Sequence, residues 1–324
     1  MAQAIVIHQP GGPGVLQPQT ITVGKPGPNE LRIRQTAIGV NFHDVYVRSG
    51  LYQTLPLPGI PGIEAVGIVE ETGSQVKHFT IGDRIGYITR SYGVYASERL
   101  LPADLAIRLP DSISDDLAAT LLLKGLTAEM LVKQVHPVKP GERVLVHAAA
   151  GGVGRLLCQW ASHLGATVIG TVGNAQKAEL ARQAGCAHTI LYREENFVER
   201  VQDITNGKGV NVAYDSVGKD TFQGSLDSLA ICGHLVNFGQ SSGSVAPFEV
   251  SALFAKSNSL TRPSVFHYAQ ERHMLDSMSH NLFKALEQGA IKAEPGMAFA
   301  LADAAKAHEM LESRERTGAL LLKP

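Results

Sequence analysis

Residues 141–162, Gly-Glu-Arg-Val-Leu-Val-His-Ala-Ala-Ala-Gly-Gly-Val-Gly-Arg-Leu-Leu-Cys-Gln-Trp-Ala-Ser, decide the fold. The apolar run Val144-Leu145-Val146 stops at small residues and a glycine cluster, Gly151, Gly152 and Gly154. An amphipathic stretch then runs to Gly165. That order predicts a strand, a tight turn and a helix whose amide end can hold a phosphate. The glycines let the backbone turn sharply and let a pyrophosphate approach without meeting a Cβ. A glycine cluster alone is weak evidence, because such clusters also mark ordinary turns. Here a second short apolar strand, Thr167 to Val172, follows the helix at βαβ spacing, and the context makes the signal strong.

Working outward, the same rhythm continues. A helix is expected at Gln176–Gln183, closed by Gly185, and a strand at Thr189–Leu191. A helix at Phe197–Ile204 ends at Asn206-Gly207, before a strand at Val210–Tyr214. The last unit is a helix near Thr221–Ala230 and a strand at Leu235–Phe238. Alternation of this kind predicts a doubly wound parallel sheet, in which ligands bind at the carboxyl ends of the strands. Those ends carry Gly173-Asn174, Tyr192, Asp215-Ser216 and Gly239-Gln240.

Residues 1–123 read differently. Short β-type runs at Leu31–Val40, Ala65–Glu70, Arg84–Ile88 and Val94–Leu100 are separated by turn signals such as Gly-Pro-Asn at 27–29. A mostly β domain is expected there. Ser114 with Asp115 and Asp116 can cap a helix through Leu117–Leu123. After about 262 the chain is expected to return to this first domain through one long helix, Met274–Gln288. The expected division is therefore 1–123, completed by 262–324, and 124–261.

Composition sets limits on function. The 324 residues suffice for two domains with large cores. A formal net charge of −1 argues against nucleic acid as the main partner, since phosphate neutralisation needs a basic surface. Apolar runs stay short of the roughly 18 residues that span a bilayer, so no membrane association is expected. The N-terminus has no basic segment before its apolar run, and no export signal is read there. The three cysteines, Cys158, Cys186 and Cys232, are far apart in sequence and odd in number. They read as buried free thiols of a reducing compartment, and the cytoplasm is the expected location.

The expected dinucleotide is NADPH. An NAD site places Asp or Glu about 20 residues after the glycines to bind the ribose 2′-hydroxyl. Here that position falls at Val172-Gly173-Asn174, without an acid, and Lys177 follows one turn later with Tyr192-Arg193 at the next strand end. A missing carboxylate removes repulsion and a nearby ammonium attracts, which suits a 2′-phosphate.

Taken together, these residues resemble a known family along the whole chain. The run Gly141-Glu142-x-x-Leu145 … Ala149-Ala150-Gly151-Gly152-x-Gly154 … Gln159-x-x-Ser162 resembles the quinone oxidoreductase/ζ-crystallin signature of the medium-chain dehydrogenase/reductase superfamily. Further matching segments are Gly39-Val40-Asn41-Phe42-His43-Asp44, Arg48-Ser49-Gly50-Leu51-Tyr52, Pro61-Gly62-Ile63-Glu64, Lys124-Gly125-Leu126-Thr127, Tyr214-Asp215-Ser216-Val217-Gly218 and Thr261-Arg262-Pro263-Ser264. The likeness is greatest to the bacterial NADPH:quinone reductases. It implies a GroES-like, mostly β catalytic domain beside a Rossmann domain, with NADPH in the cleft, and a homodimer.

The resemblance also implies roles. Asn41, Asp44, Tyr46 and Tyr52 would stand beside the nicotinamide and the substrate, with Asn41, Tyr46 and Tyr52 as the catalytic set. Asn41 can bond a carboxamide or carbonyl, and the tyrosines can stack on a flat ring or donate to a quinone oxygen. Thr127, Gly151, Gly152, Val153, Gly173, Asn174, Lys177, Tyr192, Ser216, Phe238 and Gly239 would line the dinucleotide groove. The turn Arg262-Pro263-Ser264 would close over the nicotinamide, and Arg314 matches a family arginine near the adenosine phosphate. Zinc-dependent relatives carry Cys and His at the positions of Asn41 and Ile63, so no metal is expected.

Quinone reduction is the expected activity. A quinone accepts electrons without Lewis-acid polarisation, and its reduced oxygen can take a proton from water, which leaves positioning as the main catalytic demand. Two alternatives remain open: an enone or enal reductase on the same scaffold, in which Tyr52 or Asn41 polarises the carbonyl, and a non-catalytic NADPH-binding protein.

Overall fold

The computed structural model describes residues 1–313 and 318–324. The chain forms two units: Met1–Leu123 with Ala269–His280 and Ala293–Pro324, and Lys124–Tyr268 with Asn281–Lys292. The helix Arg272–Glu287 therefore supplies residues to both, where the sequence assigns all of 262–324 to the first.

The first unit opens with β1 (Ala2–Val6) and β2 (Gln17–Ile21), which pair antiparallel. Next come β3 (Glu30–Val40), β4 (Glu64–Thr72), β5 (Arg84–Ile88), β6 (Glu98–Pro102) and β7 (Ile107–Arg108). The period of two is plain in β3, where Leu31, Ile33 and Ala37 are fully buried and Arg32 and Arg34 form ion pairs with Glu98 and Glu70. Gln35 sits on the buried side because its amide is satisfied: Nε2 donates to the Val94 carbonyl at 2.8 Å, and Oε1 accepts from Tyr87 at 2.5 Å. The expected strand at 94–100 is displaced to Glu98–Pro102, and its first half makes only an isolated bridge, Ala4 to Ala96.

The second unit holds β8 (Arg143–Val146), β9 (Thr167–Val172), β10 (His188–Leu191), β11 (Val210–Asp215), β12 (Leu229–Asn237) and β13 (Ser259–Thr261). The chain then supplies β14 (Met297–Ala300) and β15 (Leu320–Lys323) to the first unit, whose main sheet runs β14-β15-β3-β4-β5-β7 with β6 beside β3. In the second unit all pairings are parallel and the order is β10-β9-β8-β11-β12-β13. The order reverses direction between β8 and β11, which opens a crevice at the carboxyl ends of those two strands.

Val144, Leu145 and Val146 are fully buried, as a parallel strand covered on both faces requires. The helix Gly152–His163 lays Leu156, Leu157, Cys158, Trp160 and Ala161 inward. Two differences from the sequence reading lie near β12. The helix expected to reach Ala230 stops at Asp227, because Leu229 pairs with Val210 in the sheet and Cys232 turns at φ +59°. Strand β13 was not read at all. Cys158 and Cys186 are buried free thiols as expected, their sulfurs 3.3 Å apart, whereas Cys232 differs from expectation in being exposed.

The glycine turn is tight for a reason other than the expected one. None of Gly151, Gly152 or Gly154 adopts positive φ; the left-handed residue is Ala148, at φ +51°. Gly154 is required by space, since a Cβ there would stand 2.2 Å from the Ala148 carbonyl oxygen. Gly154→Ala should therefore destabilise the fold by about 1–3 kcal/mol through overpacking, although alanine is the better helix former by about 1 kcal/mol. Denaturant unfolding of the variant checks the sign, and a gain in stability would refute the packing argument.

Candidate functional site

In the second unit the strand ends carry three groups of candidate residues. The first is the turn after β8. Gly151 and Gly152 are exposed at the start of the helix Gly152–His163, and no side chain caps it. Its first amides are thus open to an anion, with the positive end of the helix dipole behind them. A Cβ on Gly152 would meet first the methylenes of Lys124, the nearest at 2.9 Å. Thr127 lies about one helical turn beyond Lys124, on the same face of the helix Asp115–Glu129.

The second group follows β9. Asn174 caps the helix Ala175–Gln183, its Oδ1 accepting from the Lys177 amide at 2.9 Å. A Cβ on Gly173 would lie 3.0 Å from the Tyr192 hydroxyl and 3.6 Å from the Arg193 Nε. Gly173 and Tyr192 are thereby brought together, with Arg193 beside them. Asn174 and Lys177 follow Gly173 at the cap and on the first turn of the helix. Arg193 was noticed in the sequence but given no role; its proximity depends on the pairing of β9 with β10.

The third group joins the ends of β11, β12 and β13. Gly239 packs on Ser216, whose backbone oxygen would be 2.6 Å from a Cβ at that position. Arg262 binds the loop from the other side: its Nη1 donates to the carbonyls of Gly239 at 2.8 Å and Asn237 at 3.1 Å, and to the Asn237 side chain at 2.5 Å. Phe238 lies between these anchors, and the Ser264 carbonyl starts the short turn Val265–Tyr268 by accepting from His267.

Beneath the strand ends runs a buried polar network that the sequence reading missed. His147 Nδ1 is 2.9 Å from the Thr171 hydroxyl and its Nε2 is 2.9 Å from Ser225. Ser225 donates to Asp215, which also accepts from the amides of Val217 and Gly218 and from Thr221. Burial lowers the basicity of His147, partly offset by the Asp215 charge. The network ties the ends of β8, β9 and β11 to one another, so the loops above them have a fixed base.

In the first unit, Asn41 precedes the helix Phe42–Ser49, which the sequence reading did not anticipate. Its signal was present: the Asp44 carboxylate three residues on accepts from the Asn41 amide at 2.8 Å, half of a capping box, and Gly50 ends the helix at φ +84°. Asn41 Nδ2 donates to Glu64 at 2.8 Å, and the Leu123 amide donates to the other Glu64 oxygen at 2.6 Å. Asp44 also accepts from the Tyr95 hydroxyl at 3.3 Å. Tyr95 is 3.0 Å from His308, and His308 3.3 Å from Arg48. Burial and the Arg48 charge push His308 down to about 3, so it is neutral.

Tyr46 and Tyr52 meet edge to face with ring centres 5.2 Å apart, and His43 meets Tyr52 at 5.4 Å. His43 Nε2 is 3.3 Å from the Tyr92 hydroxyl, which in turn bonds Thr54. Asn41, Asp44, Tyr46 and Tyr52 are thus gathered on one helix and the turn that follows it. Ile63, at a position where zinc-dependent relatives carry His, is fully buried hydrocarbon. Among the described residues, no group of three or more His, Cys, Asp or Glu side chains is placed to hold a metal ion. Arg314 lies outside the described residues.

Comparison with known proteins gives this geometry a context. The alcohol dehydrogenase GroES-like domain matches residues 27–111 and the zinc-binding dehydrogenase domain matches 152–280. A 2-haloacrylate reductase of Burkholderia sp is 45% identical, covering 100% of this chain and 99% of the relative. Quinone oxidoreductase 1 of Escherichia coli K12 is 47% identical, with both chains covered completely. The crystal structure of Escherichia coli quinone oxidoreductase complexed with NADPH superposes with a TM-score of 0.96 at 47% identity, covering 100% of each chain. With its GroES-like and doubly wound α/β parts and likeness of this extent along its full length, the chain belongs to the quinone oxidoreductase family of the medium-chain dehydrogenase/reductase superfamily.

Proposed function

We propose that this protein oxidises NADPH and reduces a quinone. The observation that carries the reading is the end of β9, where Val172-Gly173-Asn174 carries no acid, Lys177 follows on the first turn of the next helix and Tyr192 lies beside Gly173. A ribose 2′-phosphate finds donors there, and the position after β9 that would hold a hydroxyl-binding acid has no carboxylate to repel it. The full-length relative solved with NADPH supports the same dinucleotide. The residues fit that group: the open amides of Gly152–His163 suit the pyrophosphate, and Ser216, Phe238 and Gly239 border the continuation of the crevice. When bound, NADPH supplies a hydride.

The chain's own contribution is chiefly positioning. Asn41 is held by Glu64 and by its place at the head of a helix, so its amide has one orientation. Tyr46 and Tyr52 offer two aromatic edges and faces to a planar acceptor. Arg262, Pro263 and Ser264 follow β13, where Arg262 braces the Asn237–Gly239 loop beside the nicotinamide end of the crevice. Zinc has no part in the proposal. Ile63 cannot coordinate and the Asn41 amide is engaged with Glu64, which does not fit a tetrahedral N/S site.

The 45% identical 2-haloacrylate reductase favours a second reading, hydride addition to a conjugated carbon. We also propose a homodimer. Strand β13 ends the six-stranded sheet, and Ile231, Val250 and Phe254 stand exposed nearby, Phe254 at 88%. An apolar patch beside a sheet edge suits a twofold partner that continues the sheet.

NADPH consumption with a quinone, with an enone and without acceptor tests the activity. The quinone should turn over fastest, and exhaustive chelation should leave the rate unchanged; enone turnover alone would select the second reading. Lys177→Ala should weaken NADPH binding ten- to a hundredfold, about 1.5–3 kcal/mol of charge-assisted bonding, and leave NADH use nearly unaltered. Equal loss for both dinucleotides would remove Lys177 from the 2′-phosphate site. Phe254→Asp should shift the mass measured by light scattering toward that of one chain, 34.6 kDa.

A further inference from the structure

Two-electron reduction of a quinone by hydride leaves the hydroquinone monoanion, which needs one proton. A hydrogen-bonded file in the first unit runs toward the aromatic cluster described above. Thr54 is exposed, its hydroxyl bonds Tyr92, and the Tyr92 hydroxyl lies 3.3 Å from His43 Nε2. The His43 ring meets Tyr52 edge to face at 5.4 Å, and Tyr52 meets Tyr46. We propose that Thr54, Tyr92 and His43 form a proton relay that delivers one proton from solvent to the oxygen of the reduced acceptor.

This inference rests on the acceptor lying beside Tyr46 and Tyr52, as the preceding section places it. Burial holds His43 down to about 4, so at neutral pH the ring is uncharged, with one nitrogen donating and the other accepting. Burial also raises Tyr92, which keeps its hydroxyl protonated and able to donate. The step balances. The imidazole N–H bond breaks as an O–H bond forms on the hydroquinone anion. His43 Nε2 takes the Tyr92 proton, Tyr92 takes that of Thr54, and Thr54 is restored from water. The ring ends as the other tautomer, and a half-turn of the ring or reverse transfer along the file resets it. The electrons come from the reduced dinucleotide, and no further oxidant or reductant enters.

A neutral imidazole between a buried phenol and the substrate cluster also has a bland reading, as a packing residue that satisfies Tyr92. The two readings separate with an acceptor that takes no proton. The N-methylacridinium cation takes a hydride at carbon, becomes a neutral acridan and needs no proton, whereas 1,4-benzoquinone needs one. Tyr92→Phe, Thr54→Val and His43→Phe should each lower kcat with the quinone about tenfold more than with N-methylacridinium, near the lower side of what a positioned acid contributes. KM for NADPH should hold, and the solvent deuterium isotope effect on the quinone rate should change in all three. Equal loss with both acceptors, or wild-type quinone rates and isotope effects in all three variants, would overturn the relay. The wild-type protein is measured first. If it leaves the quinone untouched but reduces an enone, the quinone reading fails, and the same ratio taken with the enone, whose carbanion also needs a proton, decides the relay separately.

Discussion

The second unit depends on one close approach, that of Gly154 to the Ala148 carbonyl. A side chain of any size would push the helix Gly152–His163 away from the end of β8. Held at that distance, the helix presents its first amides at the point where the sheet order reverses. Ala148 meets the constraint by adopting φ +51°, a conformation that costs an L-residue about 1–2 kcal/mol. The strain stays because the surrounding packing leaves the chain no alternative, and it lies where strain is commonly found, beside a binding turn.

The first unit is organised by buried carboxylates with fixed duties. Glu64 holds the Asn41 side chain and the Leu123 amide; Asp44 holds the Asn41 amide and Tyr95. Arg48 then closes the set, donating to Glu312 at 2.7 and 3.0 Å and lying beside neutral His308. A bidentate pair of this kind, buried at Arg48 and exposed at Glu312, has geometric value beyond its energy, because it fixes the helix Ala304–Glu312 against the helix Phe42–Ser49. Removing the Glu312 carboxylate would take the partner from the buried Arg48 charge.

Much of this was legible in the sequence, and what was not has physical causes. The parallel sheet announced itself through β8, the glycines and β9, because full burial on both faces leaves only apolar residues. The lack of an acid after β9 is a local property and could be read directly. The helix at Phe42–Ser49 escaped attention because it is only eight residues long and its buried face mixes Val45 and Val47 with Asp44 and Arg48; only Asn41, Asp44 and Gly50 mark its ends. Strand β13 is three residues long and exists by pairing with β12. Arg193 by Gly173, the sulfur pair of Cys158 and Cys186, and the His147 network all depend on which strands become neighbours, and no window of sequence contains that information.

The single tryptophan, Trp160, is buried in the helix that carries the glycine turn. Indole emission therefore reports on the second unit alone, while the first unit contains only tyrosine and phenylalanine as its fluorescent rings. A melting curve followed by tryptophan fluorescence would be blind to loss of the β-rich unit. Agreement between that signal and far-ultraviolet circular dichroism then becomes a measure of whether the two units unfold as one cooperative body.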